Sequence, residues 1–230
     1  MNISKAFFLM VLLAVTSPVF ADVSAAITLV SDYRFRAITQ TEEDPALQAQ
    51  IDWNTDSGLY AGAFISNVDY GGDSNIELDV RLGFSRAISD DWAFDVGLVR
   101  YNYLPDGDDI DFNEYFAGLT YKNWSLTYWY TDDWSNSGLK AQYVEANTSF
   151  PLPRDFSLNL HAGYAYGDNW EEFEYTDYYV EVSKAVGDWA FSLRWEDSSG
   201  KLKKYGVCKD FCDGQIVALV SYQFPFGKNP

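Results

Sequence analysis

The chain has 230 residues, enough for one large β domain or two small ones, and its 34 Asp+Glu against 16 Lys+Arg give a formal charge of −18. That balance excludes phosphate-backbone binding, which needs a basic face, so no nucleic-acid partner is expected, and 17 tyrosines argue against disorder. One His and two Cys are too few for a zinc site of four cysteines or of two cysteines and two histidines. No cofactor or metal is expected.

The chain opens on a targeting segment. Met1 to Ala21 carries Lys5, then the apolar run Ala6 to Val15, a break at Ser17-Pro18 and the small-residue end Val19-Phe20-Ala21. This is the layout of a secretory signal peptide, and the run is about half the length of a spanning helix. The mature chain is expected to start at Asp22, and residues 22–230 to form one domain. With no later run of about 20 apolar residues, the exported protein is either soluble or a membrane β-barrel.

Beyond Asp22, period-two alternation governs the pattern. Ile76-Glu77-Leu78-Asp79-Val80-Arg81-Leu82-Gly83-Phe84 alternates without a break, as do Leu47 to Trp53, Phe156 to Tyr164 and Trp189 to Trp195. No helical stripe competes, so the domain is all-β. Twelve strands are expected, at 25–36, 46–54, 59–68, 76–86, 92–103, 111–121, 124–131, 140–150, 156–166, 176–184, 189–196 and 215–226. Tight turns at Thr55 to Gly58, Ser89 to Asp91, Lys122-Asn123, Pro151 to Asp155 and Gly187-Asp188 alternate with longer polar segments. Turn residues immediately before a strand recur every 32 or 33 positions, at 58, 91, 123, 155 and 188. One rim of short turns and one of long loops predicts an antiparallel up-and-down transmembrane β-barrel of about 12 strands.

Faces follow from chemistry. Apolar side chains are expected outward, with Trp92, Trp124, Phe156 and Trp189 in an interfacial girdle. Arg100 falls on the apolar side, which predicts a bulge or a position at the loop-side rim. Lys184 does too, beside a tight turn where it can snorkel. Both faces of 59–68 are partly apolar, and its register stays open.

Ser31-Asp32-Tyr33-Arg34-Phe35-Arg36-Ala37-Ile38-Thr39-Gln40-Thr41 with Asp44-Pro45-Ala46-Leu47-Gln48, and Gly58-Leu59-Tyr60-Ala61-Gly62 leading to Ser66-Asn67-Val68-Asp69, resemble the opening blocks of the TorF-type porin family. The family pattern has Gly where this chain has Ala37. The resemblance implies a barrel in the outer membrane of a Gram-negative bacterium, among outer-membrane lipid and lipopolysaccharide. The barrel-assembly machinery would read a C-terminal aromatic signal, here internal at Tyr222, Phe224 and Phe226.

The inward register nominates a pore lining of Asp32, Arg34 and Arg36 on strand one, Glu77, Asp79 and Arg81 on the fourth strand, and Asp95, Glu114, Glu145, Glu181, Arg194 and Glu196. Opposed acids and bases across a narrow lumen set a transverse field; the same charges could instead pair off and plug the interior. Glu42, Glu43 and Asp44, Asp106, Asp108 and Asp109, and Glu171, Glu172 and Glu174 form an acidic loop mouth that concentrates cations within a Debye length of roughly 8 Å. No loop has EF-hand spacing.

Cys208 and Cys212 are expected to form a disulfide in an oxidising compartment. Lys201, Lys203, Lys204 and Lys209 in the same loop could meet lipopolysaccharide or the acidic loops. His161 shares an inward face with Ser157 and Asn159, but steps of about 7 Å along one strand do not make a triad, so no catalysis is expected. The expected function is a passive channel for small solutes with modest cation preference. The alternative is a non-conducting barrel whose acidic extracellular loops bind a ligand, ion or partner.

Overall fold

The computed structural model describes residues 21–70, 73–105, 110–171, 173–200 and 212–225. Within them the chain forms a closed antiparallel barrel of twelve strands. These are β1 (Ala21–Val30), β4 (Ala46–Thr55), β5 (Leu59–Asn67), β6 (Ile76–Ala87), β7 (Trp92–Leu104), β8 (Phe112–Tyr121), β9 (Trp124–Thr131), β10 (Ala141–Leu152), β11 (Phe156–Tyr166), β12 (Tyr175–Val186), β13 (Trp189–Gly200) and β14 (Gln215–Phe224). Each pairs with its sequence neighbours, and β1 pairs with β14 to close the wall, with Leu29 opposite Val220. The expected signal peptide, apart from Ala21, lies outside the described residues.

The period-two pattern produces this wall because alternate side chains leave opposite faces of the sheet. Leu29, Leu47, Ile51, Leu82, Leu126, Leu193 and Ile216 all stand exposed on the outer face. So broad an apolar belt is unsustainable in water and is matched by hydrocarbon. At the short-turn rim, aromatic pairs band the wall: Trp92 with Tyr121 at 4.6 Å, Trp124 with Phe150 at 6.2 Å, and Trp189 with Tyr222 at 5.0 Å. Lys184 caps this belt with its Nζ 4.7 Å from the Phe156 ring centroid. Arg100 lies in unbroken register opposite Val80 and Asn113 and pairs with Asp111 at 3.1 Å, so the rim position holds and no bulge forms.

The open register of the third barrel strand resolves by size. In β5, Tyr60, Gly62, Phe64 and Ser66 lie less exposed than their neighbours Leu59, Ile65 and Asn67, and the Tyr60 hydroxyl donates to Asp95 at 2.8 Å. Aromatic side chains fit inside because glycines face them: a Cβ on Gly83 would collide with the Tyr60 ring, and one on Gly163 with Tyr143.

Strand one is shorter than the alternation implies. The run expected over 25–36 leaves the wall after Val30, and residues 31–45 turn into the lumen. There β2 (Arg34–Phe35) and β3 (Ile38–Thr39) form a small hairpin with Phe35 opposite Ile38. Asp32, Arg34 and Arg36 are therefore not on strand one; they are carried on this inward hairpin. The physical reason is the turn at Arg36 and Ala37, both left-handed at φ 51° and 60°, a conformation that suits a two-residue hairpin and reverses the chain.

Candidate functional site: a hairpin-constricted lumen

The hairpin is held by charge pairs sunk into the upper half of the lumen, the half nearer the long loops. The Arg36 guanidinium meets Glu114 in a two-pronged pair, Nη1 to Oε1 at 3.0 Å and Nη2 to Oε2 at 2.9 Å. Glu114 is fully buried and also accepts from the Tyr101 hydroxyl at 3.0 Å. Arg36 sits against the faces of Phe35 and Tyr143, 4.5 and 4.1 Å from their centroids. Planar guanidinium geometry suits both the fork and the stacking, which an ammonium could not reproduce.

Arg34 makes the second anchor. Its Nη1 donates to Asp32 at 2.9 Å, its Nη2 donates to the Ala37 carbonyl at 2.8 Å, and its Nε lies 2.6 Å from Glu196. Asp32 also accepts from Thr39 at 2.6 Å, so the strand-end acid ties both hairpin arms together. Tyr33 donates its hydroxyl to Glu77 at 3.1 Å. Tyr33 lies on this loop outside the spanning strands. Burial, then the Glu77 and Asp79 carboxylates, push its phenol well above the ordinary range and keep it a donor.

Below the hairpin the wall is more open. Arg81 pairs with Asp52 from β4, and its side chain is 48% exposed. On the far side Arg194 reaches Glu181 at 2.9 Å and lies 4.2 Å from the Tyr179 ring centroid. His161 stacks on Tyr179 at 4.7 Å; its Nε2 lies 2.7 Å from Asp177 and its Nδ1 2.7 Å from Asn147. Ser157 is not among those partners; Asn159 instead donates to Glu181 at 2.9 Å. Glu145 accepts from the Trp129 indole at 2.8 Å.

Three cavities surround the hairpin. One of about 220 Å³ is bounded by Arg36, Glu145, His161 and Arg194. A second, about 320 Å³, is bounded by Tyr33, Phe64, Asp79 and Arg81. The third, about 310 Å³, lies toward the long loops among Tyr70, Tyr103, Phe112, Trp134 and Trp170. The Phe35 side chain borders all three.

Of the twelve nominated residues, nine lie on wall strands and Asp32, Arg34 and Arg36 on the inward 31–45 segment, and Asp32, Glu77, Glu114 and Glu196 among them are buried. The sequence reasoning missed Asp52, Tyr143 and Asp177. Asp177 had a signal, the alternation Tyr175-Asp177-Tyr179-Glu181; Asp52 had one in Gln48-Gln50-Asp52. At the mouth, Glu42, Glu43 and Asp44 are exposed, Glu43 accepts from Gln215 at 2.8 Å, and Glu171 is exposed and Glu174 half-buried. Asp106, Asp108, Asp109 and Glu172 lie outside the described residues, as do Lys201, Lys203, Lys204, Lys209 and Phe226. Of the expected cysteine pair, Cys208 lies outside them as well; Cys212 is buried, its carbonyl accepting from Ser198 at 3.1 Å. Among the described residues no group of three or more His, Cys, Asp and Glu is disposed to hold a metal ion.

A family model described as a bacterial protein of unknown function, Gcw_chp, matches residues 14–224. The chain belongs to the Gcw_chp family. No curated protein matches it in sequence. Among solved structures, the KdgM porin superposes with a TM-score of 0.60 at 8% identity, over 87% of this chain and 99% of that one. The NanC porin gives 0.56 at 10% identity over 88% and 99%. A mutant of the TodX monoaromatic hydrocarbon channel gives 0.53 at 12% identity over 91% of each. At such identities the likeness is one of fold: this Gcw_chp chain has the closed antiparallel barrel architecture of those porins.

Proposed function

We propose that this Gcw_chp protein is a passive outer-membrane channel for small solutes, constricted by the 31–45 hairpin and modestly selective for cations. The observation that carries the reading is Phe35. It borders the cavity on the long-loop side and both cavities beneath the hairpin, so a solute moving between them passes its ring. Charge supports the preference: the inward-facing carboxylates outnumber Arg34, Arg36, Arg81 and Arg194, and each arginine is already paired with an acid. The acidic mouth adds to the same field.

The reading includes export by the 1–21 signal peptide, assembly by the barrel machinery among lipid and lipopolysaccharide, and the TorF-type porin resemblance of the opening blocks. Planar-bilayer recording of residues 22–230 in a salt gradient tests it. Discrete steps with a cation-selective reversal potential are expected, and Phe35→Ala should raise the unit conductance about twofold or more. A folded barrel that gives no steps, wild type and variant alike, sinks the channel and leaves loop binding as the role. Export further predicts a Cys208–Cys212 disulfide. Intact mass of the mature chain, two hydrogens lighter than the reduced form, checks it, and free thiols would refute it.

A further inference from the structure

Two acids of β6 hold oxygens that no contact described so far uses: Asp79, which borders the second cavity, and its neighbour Glu77. Glu77 and Asp79 follow one another on the inner face of β6. Glu77 is only 2% exposed; one of its oxygens accepts from Tyr33, and the other, Oε2, is buried without a hydrogen-bond partner. Asp79 Oδ1 is likewise buried and unpartnered, and Asp79 borders the cavity of about 320 Å³. The nearest arginines are committed elsewhere, Arg81 to Asp52 and Arg36 to Glu114. Buried carboxylate oxygens left without donors are costly, and two neighbouring ones are relieved either by a proton shared between them or by a cation that both reach.

The rest of the cavity says which charge. Tyr33, Phe64, Tyr101 and Trp129 supply aromatic surface, the partner of an organic cation rather than of a hard metal ion, which needs six or more oxygens. A guanidinium fork takes both oxygens of one carboxylate and so would leave the other acid's buried oxygen without a donor. A primary ammonium, with three tetrahedral N–H donors, can take one oxygen from each acid while its apolar body lies against the rings. The volume lies at the small end of ligand sites, which span about 300 to 1,000 Å³. We infer that the Glu77–Asp79 pair and the aromatic cavity beside it form a binding site for a small organic primary ammonium. This deepens the channel reading by naming a solute class, and rests on it for the solute's route through the barrel.

The test uses the folded full barrel in detergent and isothermal titration with benzylammonium, with benzyl alcohol as its neutral counterpart. Saturable benzylammonium binding is expected, at least tenfold tighter than benzyl alcohol. It should weaken tenfold or more in Asp79→Asn and in Glu77→Gln, each checked by circular dichroism for an intact barrel. Should either near-isosteric variant fail to fold, competition of benzylammonium by sodium chloride in the wild type takes its place: binding that salt leaves untouched would refute a charge-held site. Equal affinity for the alcohol, binding unchanged in a folded Asp79→Asn, or no binding at all would overturn the site, the last meaning that the pair holds a shared proton only. Currents in sodium chloride are measured separately. A barrel that conducts but ignores benzylammonium loses the site and keeps the channel; one that binds it without conducting does the reverse.

Discussion

Arg36–Glu114 and Arg81–Asp52 are the same chemical pair at two depths of one lumen. Beneath the long loops, the Arg36 and Glu114 side chains are 8% and 1% exposed; toward the short turns, those of Arg81 and Asp52 are 48% and 14% exposed. The upper pair is dry, forked and stacked on aromatic rings, so each partner depends on the other for its solvation. The lower pair still shares its charge with water. The upper half of the barrel therefore uses ion pairs as fasteners for the hairpin, and the lower half leaves one partly open to the lumen.

The sharpest way to break this contrast is Arg36→Met. It strands the Glu114 carboxylate in a buried site with only the Tyr101 hydroxyl, and removal of one partner from a buried pair costs about 3–5 kcal/mol. The urea midpoint of the barrel should fall accordingly, and the unit conductance should rise as the hairpin comes free. Adding Glu114→Gln removes the stranded charge, and most of the lost stability should return. If the double variant is as unstable as the single one, the hairpin is held by packing of Arg36 on its rings and not by the charge pair.

A smaller stability effect, and a different readout, belongs to the lower pair. Arg81→Gln leaves Asp52 hydrated, so the change should stay within about 1 kcal/mol after solvent screening. The reversal potential should instead move toward stronger cation selectivity, because a fixed positive charge has left the open lumen. A large loss of stability with no change in selectivity would erase the distinction between the two halves.

The same contrast explains what could be read from residues alone. Strand order, the sorting of turns from loops and the inner face of β6 or β13 were legible, because each depends only on local alternation and on turn chemistry. The hairpin was not. Asp32-Tyr33-Arg34-Phe35-Arg36 alternates polar and aromatic residues as a wall strand does, and nothing local distinguishes wall from plug. What decides is the fit of Arg36 to Glu114, 78 positions away, and of Arg34 to Glu196 across the closure. Cross-lumen partners depend on how the sheet closes, which no short window of sequence contains. The residue type at one position did hold a trace: the opening blocks resemble a pattern with Gly at 37, and Ala37 occupies a left-handed turn position at φ 60°.

That trace makes the smallest prediction. Alanine in the left-handed region is disfavoured by about 1–2 kcal/mol, and Ala37→Gly removes that strain. Glycine also frees the unfolded chain, which gives back about 0.4–1 kcal/mol. A net stabilisation between about 0 and 1.6 kcal/mol is expected in urea unfolding. Conductance should not change, because Phe35 and Arg36 keep their places through the Glu114 fork and the aromatic stack rather than through the turn. If Ala37→Gly instead shifts the conductance as much as Arg36→Met does, the turn itself holds the constriction. The buried pair would then be a consequence of the hairpin's position and not its cause.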